Sequence, residues 1–261
     1  MLKTVLSIAG SDTIGGAGIQ ADLKTIAAHG LYGMTAITAL TAQNTLGVTA
    51  IHDAPPEFVL AELEAVFQDI VPDAVKIGMV SNAEIIRVIA KFLREHKAVN
   101  IVVDPVMVST SGCALLSESA QDALIHELMP LATVVTPNIP EAQVLTGTTI
   151  DSVESMLVAA EKIAQKLSGA VLVKGGHFAN NADDLLWIDN TPHWLRGERL
   201  NTENTHGTGC TLSSAIACGL ASNLSLFDAV TAAKQYITGA LQHDPHLGKG
   251  NGPLDHMWKY R

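Results

Sequence analysis

Short apolar runs recur along nearly the whole chain, and each is followed by turn residues and then by a segment of helical periodicity. Residues 5–9, 34–40, 74–77, 101–103, 133–135 and 170–173 are too short for helices, and most stop at Gly, Asp-Pro or Thr-Pro. Such runs predict strands buried on both faces, as in a parallel sheet. Between them, Val59, Leu63, Val66, Phe67 and Ile70 fall on one helical stripe, as do Ile85, Ile86, Ile89, Phe92 and Leu93. Asp151, with Glu154 three residues on, reads as a capping box opening a helix that stops at Gly169, and Ser225 reads as the cap of another. The alternation predicts an α/β fold, a doubly wound and mainly parallel sheet with helices on both faces. Residues 183–198 alternate about Asn190, Thr191 and Pro192 and predict an antiparallel hairpin closing one edge. With no linker, repeat or low-complexity stretch, residues 1–261 read as one domain.

Composition narrows the function classes. Sixteen Lys+Arg against 26 Asp+Glu leave a net charge of −10, and aromatics are only 4%. An acidic chain poor in stacking side chains argues against nucleic acid and anionic membranes as partners. Cys113, Cys210 and Cys218 show neither zinc-ligand spacing nor a disulfide framework, which fits reduced thiols in a cytoplasmic protein. No signal peptide is recognisable, and no uninterrupted apolar run reaches the roughly 18 residues of a membrane span.

In doubly wound sheets ligands bind beyond the carboxyl ends of the strands, so chemistry is sought just after each apolar run. Gly10-Ser11-Asp12, Gln43-Asn44, Gly78-Met79, Asp104-Pro105, Pro137-Asn138, Lys174-Gly175-Gly176 and Gly207-Thr208-Gly209-Cys210 stand there. Gly16-x-Gly18-x-x-Ala21 matches the dinucleotide fingerprint. It lies several residues past the first run, however, and no acidic residue near the end of the next run would hold a ribose. Its glycines read instead as close backbone approach to a small ligand, or as a turn of positive φ. The turn from His206 to Thr211 opens an apolar helix whose N-terminus would attract an anion. Cys210 lies in its first turn, where a thiol pKa of about 8.5 can fall, giving a thiolate able to deprotonate a hydroxyl. A Cys–His hydrolase using His206 is the rival reading, and it lacks a third orienting residue. Cys218, inside the apolar run, reads as a small hydrophobe.

Asn138-x-x-Glu141 could organise Mg²⁺ waters, although for this pattern alone plain N-capping is the commoner role. Lys174 beside two glycines suits nucleotide phosphates, against the bland reading of a solvated lysine. The Gln43 carboxamide can pair with an aminopyrimidine edge, which offers the reciprocal donor and acceptor.

Taken in order from residue 8 to residue 256, these motifs resemble hydroxymethylpyrimidine/phosphomethylpyrimidine kinases of thiamine biosynthesis. The matching stretches include Gly15-Gly16-Ala17-Gly18-Ile19-Gln20-Ala21-Asp22, Lys76-Ile77-Gly78-Met79, Asp104-Pro105-Val106-Met107, Lys174-Gly175-Gly176-His177 and Gly248-Lys249-Gly250-x-Gly252-Pro253. The resemblance implies a ribokinase-like fold, use of ATP and Mg²⁺, and two successive phosphorylations of a small pyrimidine by a homodimer. It sets Gly10, Asp22, Gln43, Met79 and Val106 around the pyrimidine, and gives Gly207, Gly209 and Cys210 catalytic roles. Lys174, Thr208 and Lys234 fall to the nucleotide, and Asn138 and Glu141 to the metal. Sugar kinases of this fold carry Asp at the position of Cys210, a departure shared with vitamin kinases, so a pyridoxal or dual-specificity kinase is the alternative. A non-catalytic pyrimidine sensor would need neither Cys210 nor the Asn138/Glu141 pair.

Overall fold

The computed structural model describes residues 1–107, 116–176, 182–243 and 245–261; Cys113 and His177 lie outside them. Among the described residues, nine strands form one sheet in the order β3-β2-β1-β4-β5-β6-β7-β8-β9. β1 (Thr4–Asp12) pairs in parallel with β2 (Tyr32–Asn44) on one side and β4 (Ala74–Ile77) on the other. β5 (Ile101–Val103), β6 (Val134–Val135) and β7 (Ala170–Val173) continue in parallel. β3 (Gly47–Asp53) runs antiparallel to β2 at one edge, and the hairpin of β8 (Asp184–Ile188) and β9 (Thr191–Leu195) closes the other.

The apolar runs are continuous because successive side chains serve two cores. Leu6, Ile8, Val75, Ile77, Val103, Val135 and Val171 face one cluster, which takes in apolar residues of α2 (Pro56–Asp69), α3 (Ala83–Glu95), α4 (Glu118–Ala123), α5 (Ile139–Thr146) and α6 (Val153–Ala164). Val5, Val102, Val134 and Leu172 face a second, built from α1 (Gly18–Ala28), α7 (Thr208–Ala221) and α8 (Leu226–Gln242). This is the expected doubly wound arrangement, with the edge hairpin where its alternation pointed. One strand, β3, is absent from the sequence reading. As an edge strand it leaves Thr49, Ala50, Ile51 and His52 exposed, so no apolar run marks it. The cap of α6 is also one residue from the expected place. Ser152 accepts from the Ser155 amide at 3.1 Å and Ser155 Oγ accepts from the Ser152 amide at 2.9 Å, so a serine pair replaces Asp151/Glu154. Ser225 caps α8 as expected.

β1 is the switch point of the sheet, since the chain leaves it first toward β2 and later toward β4. The loops after β1, β2, β4, β5, β6 and β7 meet the N-terminus of α7 beyond that point.

Candidate active site

A cavity opens there, lined by Gly10, Asp12, Gln43, Met79, Asp104, Val106, Asn138, Glu141, Lys174, His206 and the turn Gly207 to Cys210. All but two of the residues expected to form a site thus share one cavity. Lys234 is elsewhere. Its Nζ donates to Asp184 at 2.6 Å and to the Ala182 carbonyl at 2.7 Å, beside a groove that includes Trp194, Phe227 and Trp258. Asp22 does not line the cavity either. It is fully buried and accepts hydrogen bonds from Ser7 Oγ (2.5 Å), Lys76 Nζ (2.8 Å) and Ser214 Oγ (2.7 Å), which leaves it closed off beneath the cavity floor.

The anion turn is built by backbone demand. Gly207 has φ +84°, and a Cβ there would fall 1.8 Å from the Gly16 carbonyl oxygen, so no other residue fits without rebuilding the turn. α7 begins at Thr208, and the first N–H groups of a helix lack intrahelical acceptors and carry the positive end of its dipole. At Gly209 a Cβ would lie 3.1 Å from Asp104 Oδ2 and 3.3 Å from Lys174 Nζ. The first turn of α7 therefore rests directly on an ion pair.

That pair is Lys174 Nζ to Asp104 Oδ1 at 2.9 Å, with Thr136 Oγ1 donating to the same oxygen at 3.2 Å. Burial opposes the Lys174 charge, yet Asp104 and Glu141 together hold its pKa above the usual lysine range. Asn138 and Glu141 do form the reciprocal N-cap of α5, with Glu141 N donating to Asn138 Oδ1 at 2.9 Å and Asn138 N to Glu141 Oε2 at 2.8 Å. They line the cavity all the same, so the capping reading and the site reading hold together. Burial pushes the Glu141 carboxyl up to about 7; Lys174 works against this and Asp104 adds to it. Two carboxylates sharing one lysine leave surplus negative charge facing the cavity.

Cys210 corrects an expectation. Its thiol is pushed up to about 11, because burial outweighs the Lys76 charge and the hydrogen bond from the Gly18 N–H. A helix N-terminus lowers a thiol pKa; here, although Cys210 is half-buried and lines the cavity, desolvation and the carboxylates of Asp22 and Asp104 outweigh it. The Cys–His hydrolase reading also fails: Asp12 does supply an orienting carboxylate, with His206 Nε2 at 2.8 Å from its Oδ2, but among the described residues no hydrogen bond joins His206 to Cys210. The supposed dinucleotide glycines have packing reasons as well. A Cβ at Gly16 would lie 2.5 Å from the His206 ring, and one at Gly18 would lie 2.2 Å from the Gly10 carbonyl oxygen.

Asp12 and Asp104 stand among the strand-end residues of the sequence and His206 opens the glycine turn, but the sequence does not join His206 to Asp12. Asp104 was visible as a strand-end residue before Pro105, but nothing in the sequence pairs it with Lys174, 70 positions away.

The phosphomethylpyrimidine kinase family model matches residues 12–255. The chain is 52% identical over 264 residues to the hydroxymethylpyrimidine/phosphomethylpyrimidine kinase of Rhizobium meliloti (strain 1021), covering 100% of this chain and 99% of that one. It is similar to the crystal structure of phosphomethylpyrimidine kinase from Clostridium difficile 630, with TM-score 0.82, 48% identity, and coverage of 90% of this chain and 98% of that one. It is also similar to Bacillus subtilis pyridoxal kinase, solved as an ADP complex, with TM-score 0.92, 36% identity, and coverage of 100% and 99%. By the extent of that family match and by this level of identity over its full length, the chain belongs to the phosphomethylpyrimidine kinase family.

Proposed function

We propose that this protein transfers phosphoryl groups from ATP to 4-amino-5-hydroxymethyl-2-methylpyrimidine, giving first the monophosphate and then the diphosphate, as a step of thiamine biosynthesis. The observation that carries this reading is the convergence of three parts in one cavity: the Gln43 carboxamide, the glycine turn opening α7, and the Lys174–Asp104 pair beside Glu141. Phosphoryl transfer asks a protein mainly for positioning and charge stabilisation, and these parts supply both. Gln43 orients the ring. The α7 amides and Lys174 hold phosphate oxygens. Cys210, at the turn, takes the proton of the attacking hydroxyl through the small fraction of thiolate that a pKa of about 11 allows.

Among the described residues no cluster of three or more His, Cys, Asp or Glu side chains could enclose a metal ion. That suits Mg²⁺, which keeps waters and is usually held by one or two carboxylates together with substrate phosphates. Glu141, next to Asn138, has the surplus charge to hold it, and when bound Mg²⁺ neutralises charge on the phosphates.

An ATP-consumption assay comparing the hydroxymethylpyrimidine, its monophosphate, pyridoxal and ribose tests the reading. Turnover with both pyrimidines and little with ribose is expected; turnover with pyridoxal alone overturns it. The second reading, a pyridoxal kinase, is favoured by the TM-score of 0.92 to the Bacillus subtilis enzyme, and the same assay decides between them. We read the chain as one domain on its continuous sheet, and as a homodimer. A cytoplasmic location is consistent with the free thiols Cys210 and Cys218. Among the described residues no helix is long and apolar enough to cross a membrane.

A further inference from the structure

His206 stands at the junction of three loops. It is 5% exposed, its N–H donates to the Gly252 carbonyl at 3.1 Å, and its ring blocks the space above Gly16. Nε2 lies 2.8 Å from Asp12 Oδ2 and 3.2 Å from the Gln43 carboxamide. Asp12 also accepts from the amides of Gly16 at 2.9 Å, Ala17 at 2.8 Å and Ile14 at 3.1 Å. Burial alone would raise its pKa, but the His206 bond and these amides hold it below the usual carboxylate range.

An ionised carboxylate only accepts, so His206 Nε2 must carry a hydrogen. That single hydrogen goes chiefly to Asp12 at 2.8 Å, and a protonated Nε2 has no lone pair to offer, so the Gln43 atom at 3.2 Å pairs with it only as a second acceptor in a three-centre bond. At the other end of the amide, Thr41 Oγ1 lies 3.2 Å from Gln43 and 2.9 Å from the Ser11 carbonyl oxygen. A hydroxyl has one hydrogen and a carbonyl oxygen can only accept, so Thr41 spends its hydrogen on Ser11 and the Gln43 atom beside it must be a donor. As placed, the amide nitrogen lies nearest His206, donor against donor; a half-turn of the amide satisfies both ends. Oε1 then faces His206 and Nε2 faces Thr41. One lone pair of Oε1 and one hydrogen of Nε2 remain for a ligand in the cavity. They match an exocyclic amino group next to a ring nitrogen.

We propose that His206, held by Asp12, is a positioning residue that fixes the polarity of the Gln43 carboxamide and thereby selects a ring bearing an amino group beside a ring nitrogen. The proposal rests on the reading above that Gln43 meets the pyrimidine ring.

Calorimetric binding without ATP tests it. The ligands are the hydroxymethylpyrimidine and its analogue lacking the 4-amino group, and the proteins are the wild type, His206→Met and His206→Gln. The wild type should prefer the amino compound by roughly 10- to 100-fold, the range of one lost hydrogen bond in a desolvated site. His206→Met should bring the two ligands within a few-fold of each other. His206→Gln, whose amide can donate near the position of Nε2, should restore most of the preference. If His206→Met keeps the wild-type ratio, or weakens both ligands equally, the role proposed for His206 is wrong and the ring reading by Gln43 survives. If the wild type does not discriminate, both fall together. Should His206→Met fail to fold, ¹H–¹⁵N spectra of the wild type at pH 8 still decide: a His206 ring without hydrogen on Nε2 overturns the proposal.

Discussion

Among the described residues, two of the buried Lys–Asp ion pairs lie at the cavity and beneath it, and they do different work. Lys76–Asp22 is fully excluded from solvent, with a separation of 2.8 Å. Lys174–Asp104, at 2.9 Å, keeps 15% of the lysine side chain accessible. Around Asp22 the bonds from Ser7 and Ser214 complete the carboxylate, tying β1, β4, α1 and α7 together. Around Asp104 the set is open on the cavity side, and a third charge, Glu141, competes for the same lysine. A charge whose partners are all satisfied by the fold has nothing left for a ligand. A charge cluster with surplus carboxylate does.

The largest expected effect is on the closed pair. Lys76→Met leaves Asp22 charged and buried, and should cost about 3–5 kcal/mol of stability in denaturant unfolding. Adding Asp22→Leu should recover much of the loss, since an apolar replacement of a whole buried pair is often close to neutral. A loss under about 1 kcal/mol for Lys76→Met would remove the structural side of the comparison. The open pair should respond the other way round. Lys174→Ala should lower turnover of both phosphorylations by about 10²–10³-fold, the range for one lost electrostatic donor. Its stability loss should be less than half that of Lys76→Met. Normal turnover with a large loss of stability would make the two pairs equivalent.

The same contrast explains what was legible in the sequence. Buried parallel strands announce themselves as short apolar runs, and the loops after them placed Gly10, Gln43, Met79, Val106, Asn138, Glu141, Lys174 and Gly207 to Cys210 around one cavity. The surroundings of Asp22 are not legible in the sequence, because a carboxylate early in a helix looks alike whether it faces a cavity or a buried lysine 54 residues away. Cys210 does stand in the first turn of α7, but its thiol is pushed up, opposite to the direction the turn alone suggests. A helix N-terminus can be read from a glycine turn; the burial that overrides it comes from distant segments. The His206–Asp12 bond spans 194 positions, and no local pattern encodes it.

Cys210 lies between the two pairs in consequence as well as in space, for Lys76 lowers its pKa while Asp22 and Asp104 raise it. Cys210→Ala should slow the first phosphorylation about 10²-fold, the scale of a lost general base. The second should change only a few-fold, since its acceptor is a phosphate already ionised near neutral pH. In the wild type the first step should also quicken with pH toward the thiol value of about 11, and the second should not. Equal slowing of both steps would mean that Cys210 shapes the anion turn rather than moving a proton.

The smallest effect, and the sharpest separation of the pairs, is in their pH dependence. Glu141 titrates near 7 in the folded protein against a usual 4.5, so between those values the folded state binds more protons than the unfolded one. Stability must therefore fall as pH rises from about 4.5 to 7, and the penalty persists above 7. Lys76, held above the usual lysine value of 10.5, keeps its charge throughout that window and contributes no slope. Glu141→Gln tests this cleanly, because glutamine can still close the N-cap of α5 from the same position. The variant should melt with the wild type at pH 4.5 and at or above it at pH 8. Its Mg²⁺ dependence should change as well. Ionisation of Glu141 should strengthen the Mg²⁺ requirement of the wild type about tenfold in apparent affinity from pH 6 to pH 8, since metal ligands bind in their deprotonated form. Glutamine should flatten that rise. A wild-type melting temperature that climbs between pH 4.5 and 7 and drops on Glu141→Gln would show that the carboxylate is ionised and satisfied in the resting site. The Lys174 cluster would then be as closed as the one around Lys76.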